Sequence, residues 1–286
     1  MKKRKESCCS GGDDTAAAAA LSDERKVHKM RFRPCIDIHN GKVKQIVGGS
    51  LRDEGDYAQT NFASELDARA YAEMYKRDGL SGGHIILLNP AGSPYYEETR
   101  RQAFAALRAY PGGLQIGGGI TPENAAEYLE AGASHVIVTS YVFGDGRFHP
   151  DRLEKLVRET GKEHLVLDLS CRKKDGQYHV VTDRWQKFTE LILTPEVLDD
   201  LSSFCDEFLI HGVDVEGKRS GMEEGLTVML GQWAKRPLTY AGGIASMEDL
   251  ARFERMTGGS VDFTIGSALD LFGGDIPYEK VRAYKC

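Results

Sequence analysis

At 286 residues with a net charge of −6 and no apolar run approaching twenty residues, the chain is a poor match for a membrane-spanning or nucleic-acid-binding protein. Its six cysteines, at 8, 9, 35, 171, 205 and 286, follow no zinc or secreted-disulfide spacing. Its eight histidines include no His-x-x-x-His pair, so neither a metal centre nor a nucleic-acid or membrane partner is expected, and a reducing, cytoplasmic setting is the default.

Residues 1–29 differ from the rest. Lys2-Lys3-Arg4-Lys5 leads into Ser, Gly and Asp residues, an alanine run and mixed charge, the composition of a solvated, disordered tail. A nuclear address on the basic run is a weaker alternative. A plastid address is another, although Glu6, Asp13 and Asp14 spoil the acid-poor composition of a transit peptide.

From residue 30 to 286, short Val/Ile/Leu-rich runs alternate with amphipathic stretches. Strands are predicted near 32–37, 83–88, 114–117, 135–139, 164–169, 207–211, 237–241 and 261–265, with helices between them. Eight such units in one stretch, without a linker, predict an α/β fold, a (β/α)8 TIM barrel, as the single domain.

In chain order, the first strand ends in Cys35-Ile36-Asp37-Ile38. The third ends in Gln115-Ile116-Gly117-Gly118-Gly119-Ile120, followed by the helix start Thr121-Pro122-Glu123. The fourth closes in Thr139-Ser140. About 125–130 residues later the pattern returns: Val166-Leu167-Asp168-Leu169 on the fifth strand, then Thr239-Tyr240-Ala241-Gly242-Gly243-Ile244 with the helix start Ser246-Met247-Glu248-Asp249, then Gly266-Ser267 ending the eighth. This is an internal half-barrel repeat.

Glycine clusters let backbone N–H groups approach an anion, and a following helix can add its own first-turn amides. Gly118, Gly119, Thr139 and Ser140 form one candidate phosphate cradle, and Gly242, Gly243, Gly266 and Ser267 the other. In a barrel all of these, with Asp37 and Asp168, fall at the C-terminal ends of the strands, where chemistry sits. Two acids and two cradles in pseudo-twofold order imply a small-molecule substrate with a phosphate at each end.

These residues resemble a histidine-biosynthesis family of ribotide isomerases. The likeness rests on Arg33-Pro34-Cys35-Ile36-Asp37-Ile38-His39-Asn40-Gly41-Lys42-Val43 and on the glycine motifs in their order, and it runs from residue 31 to about 272. The resemblance implies an Amadori rearrangement of an N-linked aminoaldose into an aminoketose, without a cofactor, carried out by one chain as a monomer. Such chemistry needs a base for the C2′ proton and an acid to open the ribose ring. By resemblance, Asp37 is the base and Asp168 the acid.

The resemblance also assigns substrate contacts to Gly49, Gly221 and Trp185, the last as an aromatic that stacks on the ligand. The segment from His211 to Gly221 stands where bacterial members read Thr-Asp-Ile-x-x-Asp-Gly-Thr-x-x-Gly, with His211 for the threonine and Glu216 for the second aspartate. Glu216 or Asp214 is therefore an alternative to Asp168 as acid. His211 is either a hydrogen-bonding partner of a reacting hydroxyl or an inward histidine satisfied by a carbonyl. Asn89 and Thr121 depart from the bacterial pattern towards a eukaryotic type.

Two related barrels compete. In the sister cyclase a lysine follows strand one, where this chain has Gln45, and Lys44 is one residue off and faces the other side of a strand. In phosphoribosylanthranilate isomerase the base is a cysteine, which makes Cys35 the residue to check. A barrel that binds a bis-phosphate without turning it over is a third reading.

Overall fold

The computed structural model describes residues 29–47, 50–51, 57–218 and 221–284. Of the predicted tail, only Lys29 falls among them.

Eight parallel strands carry the fold: β1 Cys35–His39, β2 Gly83–Leu87, β3 Leu114–Gly117, β4 Val136–Val138, β5 Leu165–Lys174, β6 Glu207–Gly212, β7 Leu238–Ala241 and β8 Asp262–Thr264. Each is followed by a helix: α1 Ala68–Arg77, α2 Tyr96–Ala109, α3 Pro122–Glu130, α4 Pro150–Thr160, α5 Pro195–Leu201, α6 Glu224–Trp233, α7 Met247–Thr257 and α8 Tyr278–Arg282. Neighbours pair in parallel in chain order from β1 round to β8. The ring closes through a parallel bridge between Phe32 and Phe263, with Arg33 N–H donating to the Phe263 carbonyl at 2.8 Å. The fold is the (β/α)8 barrel the repeat predicts.

β1 begins three residues later than the apolar run suggests, because Pro34 has no N–H for a ladder and leaves Phe32 as a lone bridge. Each half also inserts an antiparallel hairpin that the sequence reading lacks. Lys42–Ile46 folds back on β1 and pairs with Thr60–Ala63, and Gln177–Thr182 folds back on the long β5 and pairs with Lys187–Ile192. The pseudo-twofold repeat thus extends to the walls of the mouth.

Period-two alternation sorts the side chains. On β5, Leu165, Leu167 and Leu169 face the helical layer and join the main core, whereas Val166 packs inside the barrel with Ile137, Leu209 and Ala241. The inward series on β5 continues to Asp168 and Ser170, and on β6 from Leu209 to His211. Hydrophobic contact thus fills the middle of the barrel and leaves polar groups at its two ends. At the N-terminal end, Asp262 is fully buried and holds Arg33 Nε at 2.7 Å, while Arg33 lies 3.5 Å from Glu207.

Candidate active site

A single cavity at the C-terminal ends of the strands is lined by Asp37, Asp168, His211, Glu216 and Trp185, with Gly242, Gly243, Gly266 and Ser267 along one side. A second, more open cavity adjoins it at Leu88 and takes in Gly119, Thr121 and Ser140. The acids therefore share one chamber, and the two glycine cradles lie at its two flanks.

The backbone explains the glycines. Gly118 turns with φ +98°, and a Cβ there would meet the Leu87 carbonyl oxygen at 2.1 Å; Gly243 turns with φ +76°, and a Cβ would meet the Gly221 carbonyl oxygen at 1.9 Å. Gly221 backs this second turn, its N–H donating to the Gly243 carbonyl at 3.1 Å. Gly49 lies outside the described residues.

Both helix starts carry the side-chain caps that their residues suggest. Asn124 of α3 accepts from Thr121 N–H at 2.9 Å, and in α7 Ser246 accepts from Asp249 N–H at 3.0 Å while Asp249 accepts from Ala245 N–H at 3.0 Å. Side-chain caps take these amides. At the glycine turns, the amides of Gly119, Gly243 and Gly266 donate to no protein group among the described residues.

Asp168 is 7% exposed and accepts three hydrogen bonds: from Thr139 Oγ1 at 3.1 Å, from Ser170 Oγ at 3.2 Å, and at 2.9 Å it faces His211 Nδ1. The β5–β6 register makes the last contact, by setting His211 opposite Ser170. Thr139, predicted to hold phosphate, has its hydroxyl on Asp168 instead, because it ends β4 beside β5. Trp185 donates through Nε1 to Ser170 Oγ at 2.9 Å, and its ring lies 6.2 Å from the His211 ring. It is carried on a tight turn in which Asp183, Arg184 and Trp185 all have positive φ.

Burial, then the charge of Glu216, pushes the Asp37 carboxyl from its ordinary 3.8 to about 7, against His211 and a hydrogen bond from Gln45 Nε2 at 3.0 Å. Glu216 is raised as well, first by burial, with His211 pulling it back. Burial alone would lower His211; the charge and hydrogen bond of Asp168, with Glu216 and Asp37 behind them, lift it to about 9. At neutral pH the chamber therefore holds an imidazolium paired with Asp168 and a carboxyl near its midpoint at Asp37.

Asp214 is not part of this chamber. Its carboxylate accepts from Arg172 Nε at 2.8 Å and from Lys173 N–H at 3.0 Å, because the turn after β6 swings it onto the β5 arm. Its candidacy as acid is corrected on that ground. Burial, then Asp37, holds the Cys35 thiol well above its ordinary range, which leaves no thiolate to act as base. Lys44 turns away from Asp37 and sits 3.4 Å from His39 Nδ1.

Two residues of the chamber escape the sequence reading. His84 on β2 is buried and lines the cavity, and burial, then His211, depresses it to about 3, so it is neutral. Gln45 reaches Asp37 from the first hairpin. Only the alternation of Gly83-His84-Ile85 and of Lys44-Gln45-Ile46 hinted that either points inward.

Comparison with known proteins agrees with this chemistry. Residues 31–276 match the model of a family described as histidine biosynthesis protein. A Medicago truncatula protein named 1-(5-phosphoribosyl)-5-((5-phosphoribosylamino)methylideneamino) imidazole-4-carboxamide isomerase, chloroplastic, is 54% identical over 259 residues, covering 89% of this chain and 81% of its own. Proteins of the same isomerase name from Neurospora crassa, 45% identical over 85% of this chain and 93% of theirs, and from Saccharomyces cerevisiae, 42% identical over 86% and 94%, are also similar.

Proposed function

The chain belongs to the histidine biosynthesis protein family and performs its isomerase step, and from that membership we propose how the barrel mouth divides the work. The reaction is an intramolecular aldose-to-ketose rearrangement of a ribotide that carries two phosphates. Asp37 acts as the base that removes the C2′ proton. The Asp168–His211 pair acts as the acid: His211 carries the proton that opens the ribose ring, and Asp168 holds the imidazolium in place. The sequence offered Asp168 and His211 as separate candidates, and the 2.9 Å contact makes them one unit.

The observation that carries this reading is the shared chamber, in which a carboxyl raised to about 7 and an imidazolium raised to about 9 face one substrate space. Two groups with different proton occupancy suit acid and base roles at one pH. Glu216 lines the same space and raises Asp37 by its charge. The glycine turns take the two phosphates, one at Gly119 and Ser140 and one at Gly243 and Gly266, and Trp185 stacks on the ligand between them.

Turnover of the purified protein with the aldose ribotide alone, without ammonia, metal or glutaminase, tests this. Ketose formation is expected. Failure to form it, with cyclisation of the ketose once ammonia is added, would make the protein the sister cyclase.

For localisation, the plant relative is named chloroplastic. The acids at 6, 13 and 14 support the cytoplasm for this chain, and a fusion of residues 1–30 to a fluorescent protein decides between the two.

A further inference from the structure

Gln45 lies on the first hairpin, outside the barrel ring, yet it is only 5% exposed and reaches the centre of the chamber. Its amide makes two contacts from Nε2, to Asp37 Oδ2 at 3.0 Å and to Cys35 Sγ at 3.7 Å. Its other end packs on the second cradle: a Cβ placed on Gly266 would meet Gln45 Oε1 at 2.2 Å. One side chain thus touches the base and the turn that ends β8. We propose that Gln45 is a positioning residue, which fixes the Asp37 carboxylate through Oδ2, directs Oδ1 to the C2′ proton and ties that orientation to the β8 cradle. The inference rests on Asp37 being the base.

Among the described residues the Gln45 amide is the one hydrogen-bond donor to the Asp37 carboxyl, and a donor to a carboxylate favours its charged form. The other groups around Asp37 are Glu216 and His211 from β6 and the loop after it, Cys35 on its own strand, and Asp168 across the barrel beyond His211. Glu216 and His211 pull in opposite directions, which leaves Gln45 as the neutral group that selects one carboxylate oxygen. A neutral amide also keeps a second cation out of the chamber. A lysine at this position would pair with Asp37, hold it ionised at lower pH and weaken it as a base.

The test is a pH profile of kcat and kcat/KM for Gln45→Met and Gln45→Lys, beside Asp37→Asn. Gln45→Met keeps the volume and loses the donor: kcat at pH 7 should fall about tenfold, as for the loss of a hydrogen bond to a charged group. KM should change by less than about threefold and the acidic limb should move to higher pH. Gln45→Lys should move the same limb to lower pH. A merely structural role would lower the folded fraction and leave the limb in place. An unmoved limb in both variants, or a loss carried by KM, would overturn the inference while Asp37→Asn remains inactive. Normal turnover by Asp37→Asn would overturn the assignment of the base itself.

Discussion

At the floor of the barrel Asp262 meets Arg33 at 2.7 Å and Arg31 at 3.1 Å, whereas at the mouth Asp37 meets the charge of another carboxylate, Glu216. Both acids sit on strands of one barrel, Asp262 fully buried and Asp37 partly buried at the wall of the cavity. The floor neutralises its buried charge with a cation and a set of hydrogen bonds. The mouth leaves its charge unbalanced and the carboxyl raised. A buried ion pair breaks at high cost when one partner is removed, while an unpaired buried acid is held at the expense of stability. The difference separates the acid that supports the fold from the acid proposed to do the chemistry.

Neutralising each acid should therefore break the molecule in opposite ways. Asp37→Asn should cut kcat by about 10³-fold, within the span attributed to a general base, yet the variant should melt higher than wild type at pH 8. The sign follows from the raised pKa: with the folded value at about 7 and the ordinary value at 3.8, wild type loses stability as pH rises between them. That loss is at most about 4 kcal/mol at 1.36 kcal/mol per unit, and it should vanish below about pH 4. Melting curves at pH 4 and pH 8 check it. Asp262→Asn should do the reverse, leaving Arg33 with only Glu207 and costing about 3 kcal/mol in denaturant unfolding, with KM nearly unchanged.

Smaller effects sharpen the contrast within the mouth. His211→Gln should lower kcat by about 10²-fold and remove the basic limb of the pH profile, since no imidazolium then stands beside Asp168. Glu216→Gln removes the charge that raises Asp37, so the acidic limb should fall by less than about one pH unit. Lys44→Ala should leave turnover within about twofold, because its ammonium lies by His39 and away from the cavity. A large loss there would mean that the hairpin lysine reaches the substrate.

The eight strands were legible because alternation and helix-start residues repeat in register, and both halves state the same pattern. Asp37, Asp168 and the glycine turns were legible as strand-end positions, and Trp185 and Glu216 through the family resemblance. The union of Asp168 with His211 was not, since it depends on which residue of β6 lies opposite Ser170. Asp214 was misread because a turn, unlike a strand, gives no period from which to infer direction. The contact of the Thr139 hydroxyl with Asp168 was not legible for a related reason: a strand-end hydroxyl can serve a neighbouring strand as readily as a ligand. Gln45 was judged only by alignment with a lysine, and its contact with Asp37 required the hairpin that folds Lys42–Ile46 back on β1. The capped helix starts show that a good N-cap signal and an open anion site compete for the same amides.

The central claim is that Asp37 works ionised while His211 works protonated. It is tested most directly by the pH dependence of kcat/KM for the wild-type protein with the aldose ribotide alone. A bell with limbs near pH 7 and pH 9, read as apparent values of the coupled chamber, is the expected result. A rate that stays level from pH 6 to pH 10, on the order of that whole window, would contradict the assignment of both groups.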